Sequence, residues 1–227
     1  MEISIYPCFK HWLSTDGTKN NAIWFYSDPH FADAEMPYIR KNYIGDEEQV
    51  KRINSKIGKN DTIIFLGDIG DISFIQKIRG YKVLIKGNHD SGPSKYQRIE
   101  QIISEQEAIE KKLDITLYKK MFHSTIGYYY YYDNKLFDEV YDGTLQINSK
   151  IILSHEPVEY EYCFNIHGHD HSNWYNKENH LNVCAEHINY TPISFKSILE
   201  KGVLKNIPDI HRVTIDTATE NKKEKQI

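Results

Sequence analysis

The chain has 227 residues, of which 40% are hydrophobic and 26% charged, and its formal net charge at pH 7 is −4. Such a composition is typical of a globular protein that buries one sizeable core. The negative charge gives no general reason to bind a nucleic-acid backbone, and no apolar run reaches the roughly 18 residues of a membrane span.

The N-terminus lacks the basic and apolar regions of a secretory signal. The three cysteines, Cys8, Cys163 and Cys184, form no disulfide or zinc-ribbon motif. We therefore expect a cytoplasmic protein that has no contact with membranes. We expect one domain over residues 1–216, followed by a flexible tail at residues 217–227.

Five short apolar segments, rich in β-branched and aromatic residues, each end in a polar cluster. In chain order they are AIWFYSDPH, DTIIFLGD, YKVLIKGNHD, KIILSHEP and YCFNIHGHDH. Apolar runs of this length and type, bounded by Gly, Asp or Pro, predict buried strands. Because sites in layered α/β proteins gather at the carboxyl ends of strands, the pattern predicts a functional site there.

Helices are predicted between these strands. Residues 45–58 show helical spacing, with Asp46 and Gln49 as a capping box and Gly58 as the C-terminal cap. A shorter helix is expected at residues 73–80, and a long one at residues 94–113.

Further elements are expected in the C-terminal part of the chain. Residues 180–195 read as a strand, a turn and the start of a helix. Residues 211–216 read as a late strand with Val213 and Ile215 facing inward.

The densest polar cluster is NIHGHDHS, which places His167, His169 and His171 within five residues. Imidazole is the commonest side-chain ligand of metal ions. In an extended segment, alternate residues project to the same side, so these imidazoles would share one face. The cluster therefore indicates a metal site.

Taken in order, the clusters read D28-P-H30, G67-D68, G87-N88-H89-D90, H155 and G168-H169-D170-H171. This order resembles the signature of the calcineurin-like metallophosphoesterases: DxH, GD, GNH[D/E], H and GHxH. All five elements are present. The segments WFYSDPHF and NVCAEHINYTPISF also resemble compact, single-domain bacterial and phage members of that family.

The resemblance implies an α/β fold, a four-layer α/β/β/α sandwich of two mixed β-sheets flanked by helices. It also implies seven metal ligands in two groups. The first group is Asp28, His30 and His171, the second is Asn88, His155 and His169, and Asp68 bridges the two. Such ligands suit two divalent metal ions, with manganese favoured and iron, zinc, nickel or magnesium as alternatives.

In the family pattern His89 is the catalytic residue and binds no metal. It would hydrogen-bond the substrate phosphate and protonate the leaving-group oxygen. Asp90 either orients that imidazole or caps the local backbone, and His167 is either a structural residue or a partner of the ligands or substrate.

Residues 91–150 form the section that varies within the family and that we expect to set substrate preference. Its charges nearly cancel, with 8 Lys/Arg against 9 Asp/Glu, so it is no evident clamp for long nucleic acid. The run Tyr128–Tyr132 predicts a β-strand with one face against the core; the alternative is a wall that stacks nucleobases.

The implied function is dinuclear, metal-dependent hydrolysis of phosphodiester or phosphomonoester bonds by metal-activated hydroxide. The expected partner is a small phosphoester, including nucleotide-like ones. The alternatives are a nuclease acting on DNA or RNA and a non-catalytic binding module on the same fold. The same ligands serve monoesterases and diesterases, so the sequence favours neither, and it predicts no oligomeric state.

Overall fold

The computed structural model describes residues 4–13, 22–90, 99–103, 115–122, 125–134, 136–175, 177–208 and 214–217. The strands there are β1 (Ile23–Tyr26), β2 (Thr62–Phe65), β3 (Tyr81–Ile85), β4 (Ile99–Ile103), β5 (Ile115–Phe122), β6 (Thr125–Asn134), β7 (Glu139–Tyr141), β8 (Leu145–Asn148), β9 (Ile151–Leu153), β10 (Phe164–His167), β11 (His180–Asn182) and β12 (Ile193–Ser194). The helices are α1 (Met36–Ile39), α2 (Asp46–Lys56) and α3 (Phe195–Glu200), with 3-10 helices at Pro7–Leu13 and Ile72–Lys77.

The five polar clusters follow strands of two mixed sheets. The first sheet has the strand order β12-β1-β2-β3-β7, in which β12 is antiparallel to β1 and the other neighbours are parallel. The second has the order β11-β10-β9-β8, in which β8 is antiparallel to β9 and the other neighbours are parallel. The registers Tyr26↔Phe65 and Phe65↔Leu84 bring the carboxyl ends of β1, β2 and β3 to one edge.

Apolar residues fill both faces of the first sheet. Phe25, Leu66 and Val83 belong to the core that also contains Phe164 and Ile166 of the second sheet. A second core on the opposite face joins this sheet to α2 and to the 3-10 helix at Ile72–Lys77. A strand buried on both faces has a continuous apolar sequence, as the fully buried TIIF of β2 has. The layered arrangement confirms the predicted α/β sandwich with two mixed sheets.

The predicted helix at residues 45–58 is confirmed as α2, but the predicted capping box is wrong. The N-cap is Gly45, which has a φ of 80°. Asp46 lies inside the first turn, and its carboxylate accepts a hydrogen bond from the Ala32 amide. The Gln49 side chain is buried and accepts one from the Tyr26 hydroxyl. Both side chains therefore fasten α2 to the first sheet and the loop that follows β1.

The predicted helix at residues 94–113 is wrong where the structure describes that segment. Ile99–Ile103 forms β4, which pairs with β6 in a third sheet of order β4-β6-β5. Isoleucine is β-branched and favours a strand when a pairing partner is available, and the long β6 supplies one. The other residues of the predicted helix lie outside the described residues.

Two further predictions concern single elements. The run Tyr128–Tyr132 lies within β6, which confirms the predicted strand, with Tyr130 opposite Leu117 of β5. That one face of the run packs against the core stays a prediction. The late strand predicted at residues 211–216 is wrong for residues 214–216, which are helical, and residues 211–213 lie outside the described residues. Two alternating apolar residues are too few to distinguish a strand from a helical turn.

None of the helices in the described ranges combines the length and apolar character needed to cross a membrane. The division into a domain of residues 1–216 and a tail at residues 217–227 stays a prediction, because residues 218–227 lie outside those ranges.

Candidate metal centre

The eight residues singled out in the sequence all lie just beyond the carboxyl ends of strands. Asp28 and His30 follow β1, Asp68 follows β2, Asn88 and His89 follow β3, His155 follows β9, and His169 and His171 follow β10. Parallel β1, β2 and β3 end at one edge of the first sheet. An isolated bridge between Ser27 and Cys184 joins that edge to the loop after β11 in the second sheet.

The first group consists of Asp28, His30 and His171, whose ligand atoms all lie within 4.8 Å of one another. The Nε2 atom of His171 is 3.6 Å from Oδ1 of Asp28, and that of His30 is 3.9 Å from the same oxygen. Three ligand-type atoms at this spacing can surround one cation.

The second group contains Asp68, His155 and His169, again with ligand atoms within 4.8 Å of one another. Asn88 joins it, since its Oδ1 lies 2.8 Å from Nε2 of His155. Oδ2 of Asp68 is 3.3 Å from Nε2 of His155 and 3.6 Å from Nε2 of His30 in the first group. Asp68 therefore lies between the two groups.

Asp28 has one carboxylate oxygen fully engaged by donors. Its Oδ2 accepts hydrogen bonds from Ser27 Oγ at 2.5 Å, the His169 amide at 2.9 Å and Cys184 Sγ at 3.2 Å. Within the described part of the chain, its buried Oδ1 has no hydrogen-bond partner, and neither has Nε2 of the buried His30. Both unpartnered atoms belong to residues of the first group.

Two divalent cations fit these residues. Buried polar atoms without partners are costly, and a cation in the first group would satisfy both of those atoms. The second group offers a second set of ligand atoms at the same spacing. The carboxylate, carboxamide and imidazole atoms are a typical donor set for manganese, iron or zinc. Burial raises the pKa of the neighbouring Cys184 thiol well above its usual value, so that thiol stays protonated and donates to Asp28.

The electrostatics of the second group also favour a cation. Burial opposes the charged form of His155, but the hydrogen bond and negative charge of Asp68 outweigh it and raise the pKa of His155 to about 9. Burial likewise opposes ionisation of Asp68, yet its hydrogen bond with His155 keeps the pKa of this carboxyl below its usual value. A carboxylate thus stays ionised in a buried position where it attracts positive charge.

Four of the predicted ligands have left-handed backbone conformations: Asp28 (φ 53°), His30 (φ 45°), Asp68 (φ 52°) and His169 (φ 66°). Such conformations are uncommon for residues other than glycine and cost of order 1–3 kcal/mol each. They persist where the surrounding structure holds them, so the loops around the two groups are held in strained conformations.

Glycine lets two loops approach the carboxylates. A Cβ atom on Gly168 would lie 2.3 Å from Asp28 Oδ2, and one on Gly87 would lie 2.2 Å from Asp68 Oδ1. Neither position has room for a side chain.

Asp90 caps the local backbone, which decides between the two roles considered for it. Its Oδ2 accepts hydrogen bonds from the amides of Asp68 (2.8 Å) and Gly87 (2.9 Å), and its Oδ1 accepts one from Ile69. Asp90 therefore joins the loop after β2 to the loop after β3.

His89 has an exposed side chain at the edge of the first group. Its ring centroid is 5.4 Å from that of His30, and its amide donates to Asp68 Oδ1 at 3.0 Å. His167, by contrast, is fully buried beside His180, and burial lowers its pKa, so it stays neutral in the interior. This placement favours the structural role for His167.

Three contacts behind the ligands were not predicted. His155 Nδ1 donates to the Leu66 carbonyl at 2.7 Å, and His171 Nδ1 donates to Glu186 Oε1 at 2.6 Å. Arg40 donates to the Asp28 carbonyl at 2.6 Å. Glu186 lies within a segment that resembles the family, but no motif marks it or Arg40.

The sandwich and its two groups of ligand-type side chains indicate the class of protein, a metal-dependent phosphoesterase. A family model described as calcineurin-like phosphoesterase matches residues 22–193, and the chain belongs to this family. The family consists of metal-dependent phosphoesterases, as the resemblance implied.

A solved structure of a protein of unknown function from Aquifex aeolicus has a similar fold. Its sequence is 21% identical, the match covers 80% of this chain and 99% of that chain, and the TM-score is 0.51. At this identity the similarity shows the fold alone. A comparison with curated proteins finds no match.

Proposed function

We propose that this protein is a dinuclear metal-dependent phosphoesterase that hydrolyses phosphodiester or phosphomonoester bonds in small, nucleotide-like substrates. The observation that carries the proposal is the position of Asp68, whose Oδ2 is 3.3 Å from His155 Nε2 and 3.6 Å from His30 Nε2. One carboxylate oxygen is thus within reach of two adjacent cations, for which manganese is the preferred identity and iron, zinc, nickel or magnesium the alternatives.

When bound, two divalent ions polarise a phosphoryl oxygen and lower the pKa of a water nucleophile. The chain supplies the cage for them: Asp28, His30 and His171 for one, Asn88, His155 and His169 for the other, with Asp68 between. The two carboxylates, Asp28 and Asp68, carry less negative charge than the positive charge that two divalent ions bring. The loaded site therefore keeps a net positive charge. The loaded site would therefore attract a phosphate anion although the chain has a net charge of −4.

The proposed general acid is His89. Its side chain is exposed beside His30, so it can reach a phosphate bound at the two groups. Its amide is fixed by Asp68, which ties the position of the imidazole to that of the bridging carboxylate. In this proposal the imidazolium donates its proton to the leaving-group oxygen, a contribution of about 10²–10⁴ in rate.

An exposed tryptophan that follows the His171 segment in sequence supports a nucleotide-like substrate. Trp174 is 82% exposed and follows His171 by three residues. Its loop is well held, since Asp170 accepts hydrogen bonds from Ser172 Oγ and from the Tyr175 amide. A large aromatic ring exposed on such a loop offers a stacking face to a base.

Replacing Trp174 tests this substrate class. Stacking on an aromatic ring is worth roughly 1–3 kcal/mol per base, so Trp174→Ala should lower kcat/KM about 5- to 150-fold for thymidine 5′-(p-nitrophenyl phosphate). Methyl p-nitrophenyl phosphate, which has no base, should be hydrolysed as before. Tyr6→Ala, a change at another exposed aromatic residue, is the control. An equal effect of Trp174→Ala on both substrates would contradict base stacking.

The hydrolytic function itself is tested with metal-stripped protein. Hydrolysis of bis-p-nitrophenyl phosphate and p-nitrophenyl phosphate is measured after adding manganese, zinc, magnesium or nickel, beside Asp68→Asn and His89→Ala. We expect manganese to restore turnover, and both variants to lose at least about 100-fold. Protein that binds two ions and hydrolyses neither ester with any metal would favour the non-catalytic binding module.

The proposal also covers the cellular location of the enzyme, its partner and the segment that sets its substrate preference. Cys8, Cys163 and Cys184 are free thiols, which is usual in a reducing compartment, and we propose a cytoplasmic location. The proposed partner is a small phosphoester rather than a long nucleic acid. Residues 91–150 are the proposed determinant of substrate preference.

A further inference from the structure

A carboxylate and a guanidinium lie directly behind the first group. Glu186 Oε1 accepts a hydrogen bond from His171 Nδ1 at 2.6 Å, and Glu186 Oε2 is 3.4 Å from Arg40 Nε. Arg40 in turn donates to the Asp28 carbonyl at 2.6 Å. We propose that Glu186 and Arg40 are positioning residues that set the metal affinity of the first group independently of the second. The inference rests on the two-ion site of the proposed function.

The contact with Glu186 fixes the orientation of the His171 imidazole and determines which of its nitrogens carries the proton. Because Nδ1 of His171 donates to the carboxylate, the lone pair that can bind a cation is on Nε2, which lies 3.6 Å from Asp28 Oδ1. A carboxylate behind a ligating imidazole also increases its basicity and strengthens metal binding. Glu186 therefore acts on the cation through His171.

Arg40 acts on a second ligand of the same group. Its side chain is almost fully buried, and Asp28, whose carbonyl it holds, has a left-handed φ of 53°. A buried guanidinium close to a cation site would repel the cation if its charge were not balanced. Glu186 supplies that balance, so the two residues contribute as a pair.

The second group has no corresponding charged pair among the contacts described for it. Behind His155 stands the backbone carbonyl of Leu66, 2.7 Å from Nδ1. A neutral carbonyl orients the imidazole but carries no charge and cannot be removed by substitution of a side chain. The asymmetry implies that changing Glu186 weakens one ion and spares the other.

The experiment is a titration of metal-stripped protein with Mn²⁺, followed by calorimetry and by electron paramagnetic resonance. Wild-type protein should bind two ions and show the spectrum of a spin-coupled pair. Glu186→Ala should keep one ion at wild-type affinity, bind the other about 10- to 100-fold more weakly, and show the spectrum of an isolated ion at low Mn²⁺. Glu186→Gln, which keeps an oxygen acceptor, should lose less.

Two comparisons separate positioning from a general structural effect. Glu139→Gln changes another carboxylate that is hydrogen-bonded to a histidine, His11, and should leave both affinities unchanged. The loss in a Glu186→Gln, Arg40→Met double variant should be smaller than the sum of the two single losses, because the two side chains are in contact.

The outcomes are distinguishable from those of the proposed function. Two ions bound to Glu186→Ala at wild-type affinities, or both weakened equally, would overturn the inference even if the enzyme is active. Absence of hydrolysis by wild-type protein would count against the proposed function, while the affinities of the variants would still decide the role of Glu186.

Discussion

At Gly168 the backbone passes so close to a predicted metal ligand that only glycine fits. A Cβ atom there would lie 2.0 Å from Ser27 Oγ and 2.3 Å from Asp28 Oδ2. Gly168→Ala should therefore displace Asp28, lowering Mn²⁺ affinity about 10- to 100-fold and the free energy of unfolding by about 1–3 kcal/mol. Calorimetric titration and urea unfolding measure the two effects.

Gly143→Ala is the control for this change. A Cβ atom at Gly143 would meet nothing within 4 Å, although its φ of 76° adds backbone strain. This variant should lose some stability and no metal affinity. Equal Mn²⁺ affinities for the Gly168 and Gly143 variants would contradict the close approach.

Asp90 holds the bridging carboxylate without facing the cations. Asp90→Asn replaces one acceptor oxygen by an NH₂ group that faces a backbone amide, so the loop carrying Asp68 should shift. We expect kcat/KM for bis-p-nitrophenyl phosphate to fall about 10- to 100-fold. Asp71→Asn, at a carboxylate that caps the Ser73 amide, is the matched control. Unchanged kinetics of Asp90→Asn would contradict this role.

The residues of the site could be predicted only where they belong to the motif. Asp90 was singled out in the sequence, but its role was left open. That role depends on how closely the loop after β3 approaches the loop after β2, which the spacing of residues in the sequence does not reveal. Glu186 and Arg40 come from segments far apart in the chain that meet only in the folded protein. Glutamate and arginine are common at surfaces, so neither stands out in the sequence.

At the scale of elements, Glu139 of β7 fastens the N-terminal 3-10 helix to the first sheet. Its carboxylate accepts hydrogen bonds from Trp12 Nε1 at 2.9 Å and Tyr81 OH at 2.8 Å, and also contacts His11 and Tyr141. Burial opposes ionisation, but these hydrogen bonds keep the pKa of Glu139 below its usual value of 4.5. The contact therefore stabilises the folded protein most when the carboxyl is ionised.

The sign of the pH dependence follows from that lowered pKa. The stabilisation is complete above the pKa of the unfolded state and is lost as the pH falls through the lower pKa of the folded state. Glu139→Gln should cost about 1–3 kcal/mol at pH 7, and its difference from wild type should shrink as the pH falls below 4.5. Urea unfolding at several pH values, with Glu178→Gln at an exposed site as control, measures this. A difference independent of pH would contradict it.

Helices and strands were predictable where the sequence pattern allowed only one physically possible structure. The apolar run of β2 is too short for a buried helix and is flanked by polar residues, so a strand was the consistent reading. Ile99, Ile102 and Ile103 fit a helix and a strand equally well locally. Pairing with β6 decided for the strand, and that pairing is a tertiary contact.

At the scale of the whole molecule, charge argues against long nucleic acids as substrates. The net charge is −4, and residues 91–150 contain 8 Lys/Arg against 9 Asp/Glu. We expect bis-p-nitrophenyl phosphate to be hydrolysed while long single-stranded and duplex DNA and RNA stay uncut on gels. Asp68→Asn serves as the control for contaminating nucleases. Internal cleavage that weakens steeply with added salt would instead favour the nuclease alternative.

The two-sheet sandwich was predictable because five ordered motifs at strand ends resemble one family. Of the third sheet, β4-β6-β5, the tyrosine run of β6 was predicted as a strand, but β4 was predicted as part of a helix. Its strands lie in the section between the third and fourth motifs, to which no family motif extends, and local patterns alone had to guide the prediction there.

The central claim is that two ions, held by groups that share Asp68, are needed for hydrolysis. The most direct test measures turnover of bis-p-nitrophenyl phosphate while Mn²⁺ is added stepwise to metal-stripped protein and bound ions per chain are counted. We predict little turnover with one ion per chain and full turnover when two are bound. Full turnover with no ion or a single ion, or none with two ions bound, would contradict the claim.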